Sequence, residues 1–337
     1  MEKAINSSQP KASHGVENNL SDEVEELLLT LPREKNFDGT YLYQFNGVWY
    51  RHKFLYGMIS TRRHFPARDS DIIVSTFPKS GTTWLKALTY AIVHRSRCAF
   101  EHSPLLTTNP HELVPFFEIS YYLNKNDIPS FEHLYTPRIF GTHIPYSTLP
   151  DSIVNSNCRI VYICRNPLDQ FISHWYFLLK QAHDKESETL SLEESFEKVC
   201  NGVLEAGPFW EHVLGYWKAS LDNSHKILFL KYEDLKEDTH SYVKKLAEFL
   251  GCPFSNVEEK ERVIEEIVKL CSFENMKDLE VNKPSRNIPG IKAKNSDFFR
   301  KGEVGDWTNH LTPSMSERLK ILMEEKFSGS GLAFKLS

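Results

Sequence analysis

DIIVSTFPKSGTTWLKALTYAIV, residues 71–93, decides how this chain folds. Asp71 to Phe77 is a short apolar run that stops at Pro78, the pattern of a buried strand. From Thr82 onward Leu85, Leu88 and Ile92 recur at helical spacing, so the residues between form a loop joining strand to helix. Such a junction favours anions, because the first N–H groups of a helix have no internal partner and its dipole adds positive charge. Ser80, Gly81, Thr82 and Thr83 are small or carry hydroxyls, and Gly81 lets the backbone approach a ligand closely. Lys79 adds a point charge, so the loop is read as a phosphate cradle rather than a plain helix cap.

The loop is not a Walker A motif. GxxxxGK[ST] occurs nowhere in the chain, and here the lysine precedes the glycine. A nucleotide hydrolase or kinase would also bring a hydroxyl and a carboxylate for magnesium. The reading is therefore metal-free chemistry on a phosphate-like group.

Three further strands are expected at RIFGTH (138–143), RIVYICR (159–165) and KILFLKY (226–232). PLDQFISHWYFLLK follows the second with helical spacing, and more helices are expected near 239–250, 257–271 and from Pro313 to Phe327. Strands alternating with helices imply an α/β fold, a single domain with a mostly parallel sheet flanked by helices. Residues 1–20 read as a disordered polar tail and 21–337 as the domain. Ser21 is expected to cap a short helix, and YLYQFNGVWY to form a hairpin around Asn46-Gly47. Residues 282–297 read as a mobile loop.

The 337 residues carry a formal charge of −5, so no basic field draws nucleic acid or an anionic membrane, and a bound anion must be held locally. No apolar run is long enough to span a bilayer, and the first twenty residues have no apolar centre to act as a secretory leader. Six cysteines form no CxxC pair, which reads as reduced thiols of a cytoplasmic protein. No metal cluster is expected.

FPKSGTTW (77–84), VYICRNPLDQFISHWYF (161–177) and FFRKGEVGDW (298–307) together resemble the three ordered motifs of the cytosolic sulfotransferases. Phrases such as NPHELVPFFE, GPFWEHVLGYWK and LCSFENMKDLEVNK are similar to the plant flavonol and hydroxyjasmonate members, and the likeness runs from about residue 40 onward. The resemblance implies transfer of a sulfuryl group from 3′-phosphoadenosine 5′-phosphosulfate (PAPS) to a hydroxyl of a small organic acceptor. It implies that Lys79, Ser80, Gly81, Thr82 and Thr83 hold the 5′ side of the donor. Arg165 and Ser173 would hold its 3′-phosphate, with Arg300, Lys301 and Gly302 closing over it. Trp84, Tyr232, Ser272 and Phe273 would hold the adenine. His143, in GTHIPY, is implied as the base, with Lys79 neutralising charge on the leaving oxygen.

Without the resemblance, Arg165 would equally suit a surface ion pair, and each aromatic would suit a core. Two departures stand out. Gly141 occupies a position where animal relatives often carry a lysine. Thr308 and Pro313 stand where the dimerising animal members have lysine and valine, so a monomer is expected. His174 is read as structural. Phe116, Phe117, Tyr121, Tyr122 and Tyr146 are expected to join His143 in an aromatic acceptor pocket.

Overall fold

The computed structural model describes residues 14–123, 129–132, 134–182, 188–283 and 293–336, with backbone alone for 14–19. Seven strands appear among them: β1 (Arg33–Lys35), β2 (Tyr41–Phe45), β3 (Val48–Arg51), β4 (Ile72–Thr76), β5 (Ile139–Thr142), β6 (Arg159–Cys164) and β7 (Ile227–Lys231). The last four form a parallel sheet in the order β5-β4-β6-β7. All four strands of the sequence reading are there.

Each sheet face has its own core, as expected of strands that are apolar throughout. Along β6, Ile160, Tyr162 and Cys164 enter one cluster while Val161 and Ile163 enter the other. Leu85, Leu88 and Ile92 of helix Thr82–His94 cover the second face. Leu168, Phe171, Ile172 and Leu178 of helix Pro167–Ala182 cover the first. From β4 the chain moves outward to β5, then crosses back to β6 and on to β7. The loops leaving β4 and β6 thus diverge and open a crevice at the carboxyl edge, the usual place for a ligand in such sheets.

β1, β2 and β3 make a separate antiparallel sheet whose turn is Asn46-Gly47, both at positive φ (51° and 80°). It docks through Trp49, whose N–H donates to the Gly207 carbonyl at 3.1 Å.

Other expectations need correction. The first helix runs His14–Thr30, so it reaches back into the expected tail and Ser21 lies inside it rather than capping it. Residues 1–13 and 284–292, where disorder and a mobile loop were expected, lie outside the described residues. The helix expected at 257–271 is two, Asn256–Lys260 and Val263–Leu270, broken at Arg262 with φ 61°. The helix Pro313–Phe327 matches the sequence reading.

Candidate active site

Strand register assembles the site. Ser75 pairs with Thr142, so His143 leaves β5 beside Thr76 at the end of β4. Cys164 pairs with Lys231, so Arg165 and Tyr232 leave β6 and β7 side by side. Residues separated by up to about 150 positions thus meet along one edge because each directly follows a parallel strand.

The loop after β4 turns through two left-handed residues, Lys79 (φ 66°) and Gly81 (φ 103°). A side chain in that region costs about 1 kcal/mol, so Lys79 is held there at some expense. Gly81 has no alternative, since a Cβ would lie 2.8 Å from the Tyr232 ring. The Thr76 and Thr82 hydroxyls meet at 2.7 Å, tying the strand end to the helix start. The Lys79 ammonium sits 3.8 Å from the centre of the Phe177 ring. Burial lowers its pKa to about 7, with Asp297 opposing the shift and Lys180, Arg300 and Arg165 adding to it.

His143 is fixed by β4. Its Nδ1 lies 2.8 Å from the Thr76 carbonyl oxygen, which can only accept. Nδ1 therefore carries the hydrogen and Nε2 keeps its lone pair. The backbone N–H of His143 donates to Glu118 at 2.8 Å, and its carbonyl accepts from His212 Nε2 at 3.1 Å. Burial lowers the His143 pKa to about 3, so the imidazole is neutral at ordinary pH. The Glu118 carboxyl is pushed up to about 7, burial again being the main cause.

A cavity of about 680 Å³ spans this edge, within the roughly 300–1,000 Å³ of small-molecule clefts. It is lined by Lys79, Gly81, Thr82, Thr83, Trp84, His143, Arg165, Ser173, Tyr232, Ser272, Phe273, Arg300, Lys301 and Gly302. Ser80 alone of the expected set is absent from the lining and wholly buried, its hydroxyl lacking a hydrogen-bond partner.

The cations around the cavity are positioned by acidic residues that the sequence reading passed over. Asp306 accepts from Arg300 and Lys301, each at 2.5 Å, and these bonds hold its carboxyl well below the usual range despite burial. Asp169 lies 3.4 Å from Arg165 and accepts from the N–H groups of Gly305 and Trp307. The Arg165 guanidinium stacks over Tyr232 at 4.7 Å, and the Tyr232 hydroxyl donates to the Gly302 carbonyl. The Nε atoms of Arg165 and Arg300 are buried without partners. With two unpaired guanidinium donors and two glycines against which no Cβ fits, the site suits a polyanion with a flat base.

The acceptor wall is a correction. Of the expected aromatics only Phe116 and His143 line the cavity. Phe117 and Tyr122 are core residues, and Tyr146 packs on Tyr216 instead. Tyr121 packs against Phe131 and Phe140. Tyr41 and Tyr43 of the hairpin line the cavity instead, with Phe54, Ile119, Phe177 and Leu178. Alternation in YLYQF was the available signal, since it puts Tyr41 and Tyr43 on one face. His174, read as structural, also faces the cavity, 5.7 Å from the Phe37 ring.

Among the described residues no cluster of three His, Cys, Asp or Glu is placed to hold a metal. No described helix is long and apolar enough to cross a membrane.

Residues 69–331 match the family model of the sulfotransferase domain. Cytosolic sulfotransferase 15 of Arabidopsis thaliana is 46% identical over 97% of this chain and 91% of its own length. Cytosolic sulfotransferase 14 of the same plant is 48% identical over 95% and 93%. Among solved structures, an Arabidopsis thaliana putative steroid sulphotransferase matches with TM-score 0.74 and 38% identity, covering 97% of this chain and 100% of that one. A mouse sulfotransferase complexed with PAP matches with TM-score 0.65 and 27% identity, covering 86% and 96%. With the matched domain spanning the parallel sheet, the loop after β4 and most of the cavity lining, the chain belongs to the sulfotransferase family, among the plant cytosolic sulfotransferases.

Proposed function

We propose that this enzyme transfers the sulfuryl group of PAPS to a hydroxyl of a small plant metabolite, such as a flavonoid or hydroxyjasmonate, with His143 as general base. The observation that carries the reading is the setting of His143, whose Nδ1 lies 2.8 Å from the Thr76 carbonyl oxygen and 3.1 Å from the Thr76 hydroxyl. The ring's only N–H is committed to the Thr76 carbonyl, so the remaining lone pair is free to take a proton from an acceptor hydroxyl. The acceptor oxygen attacks sulfur, the bond from sulfur to the bridging oxygen breaks, and 3′,5′-diphosphoadenosine leaves with that electron pair. Lys79 stabilises the charge gathering on the leaving oxygen. Arg165, Ser173, Arg300, Lys301 and Gly302 hold the 3′-phosphate, while Trp84, Tyr232, Ser272 and Phe273 hold the adenine. The donor loop, Lys79 to Thr83, holds the 5′ side, with Ser80 contributing through its backbone.

The acceptor is held against Tyr41, Tyr43, Phe54 and Phe177, a wall suited to a flat or elongated apolar body. The PAP bound by the mouse neighbour and the cytosolic names of the Arabidopsis relatives support the donor and a cytoplasmic setting. The test is incubation with sulfur-labelled PAPS and a panel of flavonols, hydroxylated oxylipins, sterols and simple alcohols. Label on one acceptor class, with one diphosphoadenosine released per product, supports the reading. Donor breakdown without any labelled acceptor sinks it.

A further inference from the structure

Lys86 is a lysine with no solvent exposure, one turn into the helix that follows the donor loop. Its Nζ lies 3.3 Å from His111 Nδ1 and 3.2 Å from the centre of the Phe116 ring. His111 is likewise buried, its ring between those of Phe116 and Phe298 at 5.4 and 4.4 Å. Its other nitrogen, Nε2, lies 2.9 Å from the Thr83 hydroxyl in the donor loop. Asn109 holds the chain at His111, its side-chain oxygen accepting from the His111 backbone N–H at 2.8 Å and its amide donating to Asn282. Opposite Lys86 is Gly141, where an added Cβ would lie 2.5 Å from Nζ. The buried ammonium has its space reserved.

We propose that Lys86 and His111 are positioning residues that turn the Thr83 hydroxyl hydrogen into the donor loop. An ammonium has three hydrogens and no lone pair, so Lys86 must donate and His111 Nδ1 must accept. Nε2 then carries the ring hydrogen and donates to Thr83 Oγ, which leaves the hydroxyl hydrogen free to point into the cavity. The chain can run in reverse only when Lys86 is a neutral amine that accepts, and then the Thr83 hydrogen is spent on His111. Burial alone pulls the Lys86 ammonium well below its ordinary value, while Glu118 opposes that shift. An anion in the loop selects the charged, forward chain, because that direction offers it both the positive charge and a hydrogen bond. The relay rests on the reading that Thr83 contacts the 5′ side of the donor.

The test is a double-mutant cycle on the affinity for 3′,5′-diphosphoadenosine, measured by calorimetry, which needs no acceptor. Lys86→Met keeps the length of the side chain and removes the donor. It should weaken binding about tenfold or more with Thr83 in place, the usual scale of a hydrogen bond to a charged group. With Thr83→Ala already present it should change binding less than twofold, and Thr83→Ser should restore the sensitivity. An equal loss in both backgrounds would mean that Lys86 acts by packing alone, and the relay would be wrong. Should Lys86→Met fail to fold by its melting curve, His111→Phe, which keeps a ring between Phe116 and Phe298, carries the same cycle. If Thr83→Ala by itself leaves affinity unchanged, the donor contact at Thr83 is at fault, and the relay falls with it.

Discussion

Raising the pH should discharge the Lys79 ammonium and weaken donor binding with a slope that is lost when Lys79 is removed. In the free protein its ammonium is surrounded by Phe177 and Phe298, and burial brings its pKa to about 7 against the attraction of Asp297. A bound diphosphate supplies the missing negative charge and raises that pKa. Below pH 7 the lysine is already charged and contributes no slope. Above it, each binding event takes up a proton, and affinity falls about tenfold per pH unit until the pKa of the complex is reached. At pH 8 roughly nine-tenths of the free protein has a neutral lysine, so nearly one proton is taken up. Calorimetry with 3′,5′-diphosphoadenosine in HEPES and in Tris reads this uptake as a difference in observed heat. Lys79→Met should bind weakly and lose the slope. Flat affinity from pH 6.5 to 9 without proton uptake, or the same slope in Lys79→Met, would refute the reasoning.

Arg165→Ala and Arg300→Ala should each weaken diphosphoadenosine binding about ten- to hundredfold, the scale of about 1.5–3 kcal/mol for one charge-assisted contact; unchanged affinity in both would remove them from the donor site. Arg165→Ala should also lower the melting temperature more than Arg300→Ala, because buried Asp169 loses its cation whereas Asp306 keeps Lys301. Gly302→Ala should fold yet bind the donor poorly, since the position has φ 69° and an added Cβ would lie 2.6 Å from the Phe273 ring; wild-type calorimetry would show the loop to be freer than this. Light scattering at micromolar concentration should give one chain mass, 39.1 kDa, and twice that value would overturn the expected monomer.

The parts legible in the sequence are those whose chemistry is local. β4, the loop at 77–84 and the helix after it lie on consecutive residues, and the apolar run, the small residues and Gly81 all describe the same turn. The Asn46-Gly47 turn was legible for the same reason. What escaped depends on pairs far apart in the chain. Asp306 and Asp169 read as ordinary charges until the fold brings Arg300, Lys301 and Arg165 to them. Phe117 and Tyr122 are expected in the acceptor pocket, yet the turn there sends them into the core beside Phe140 and Phe131. The hairpin that named no function supplies Tyr41 and Tyr43, a placement set by its docking through Trp49. Arg262 breaks a helix from the left-handed region without the glycine that would have signalled it. Lys86 carries no mark in the sequence that sets it apart from a solvated lysine, and Gly141 stands where animal relatives often carry a lysine. The two are one feature, since the glycine leaves the space the buried lysine fills.

The central claim, that His143 takes the acceptor's proton during sulfuryl transfer, is tested most directly by acceptor acidity. Wild type and His143→Ala are assayed with labelled PAPS on an aliphatic alcohol and an acidic phenol that the pocket accepts, with diphosphoadenosine affinity measured beside them. The account predicts unchanged donor affinity and a loss of about two to four decades on the alcohol, typical of a missing general base. The loss should be distinctly smaller on the phenol, which is partly ionised already. Transfer to the alcohol at the wild-type rate, with donor affinity intact, would contradict the assignment of His143 as the base.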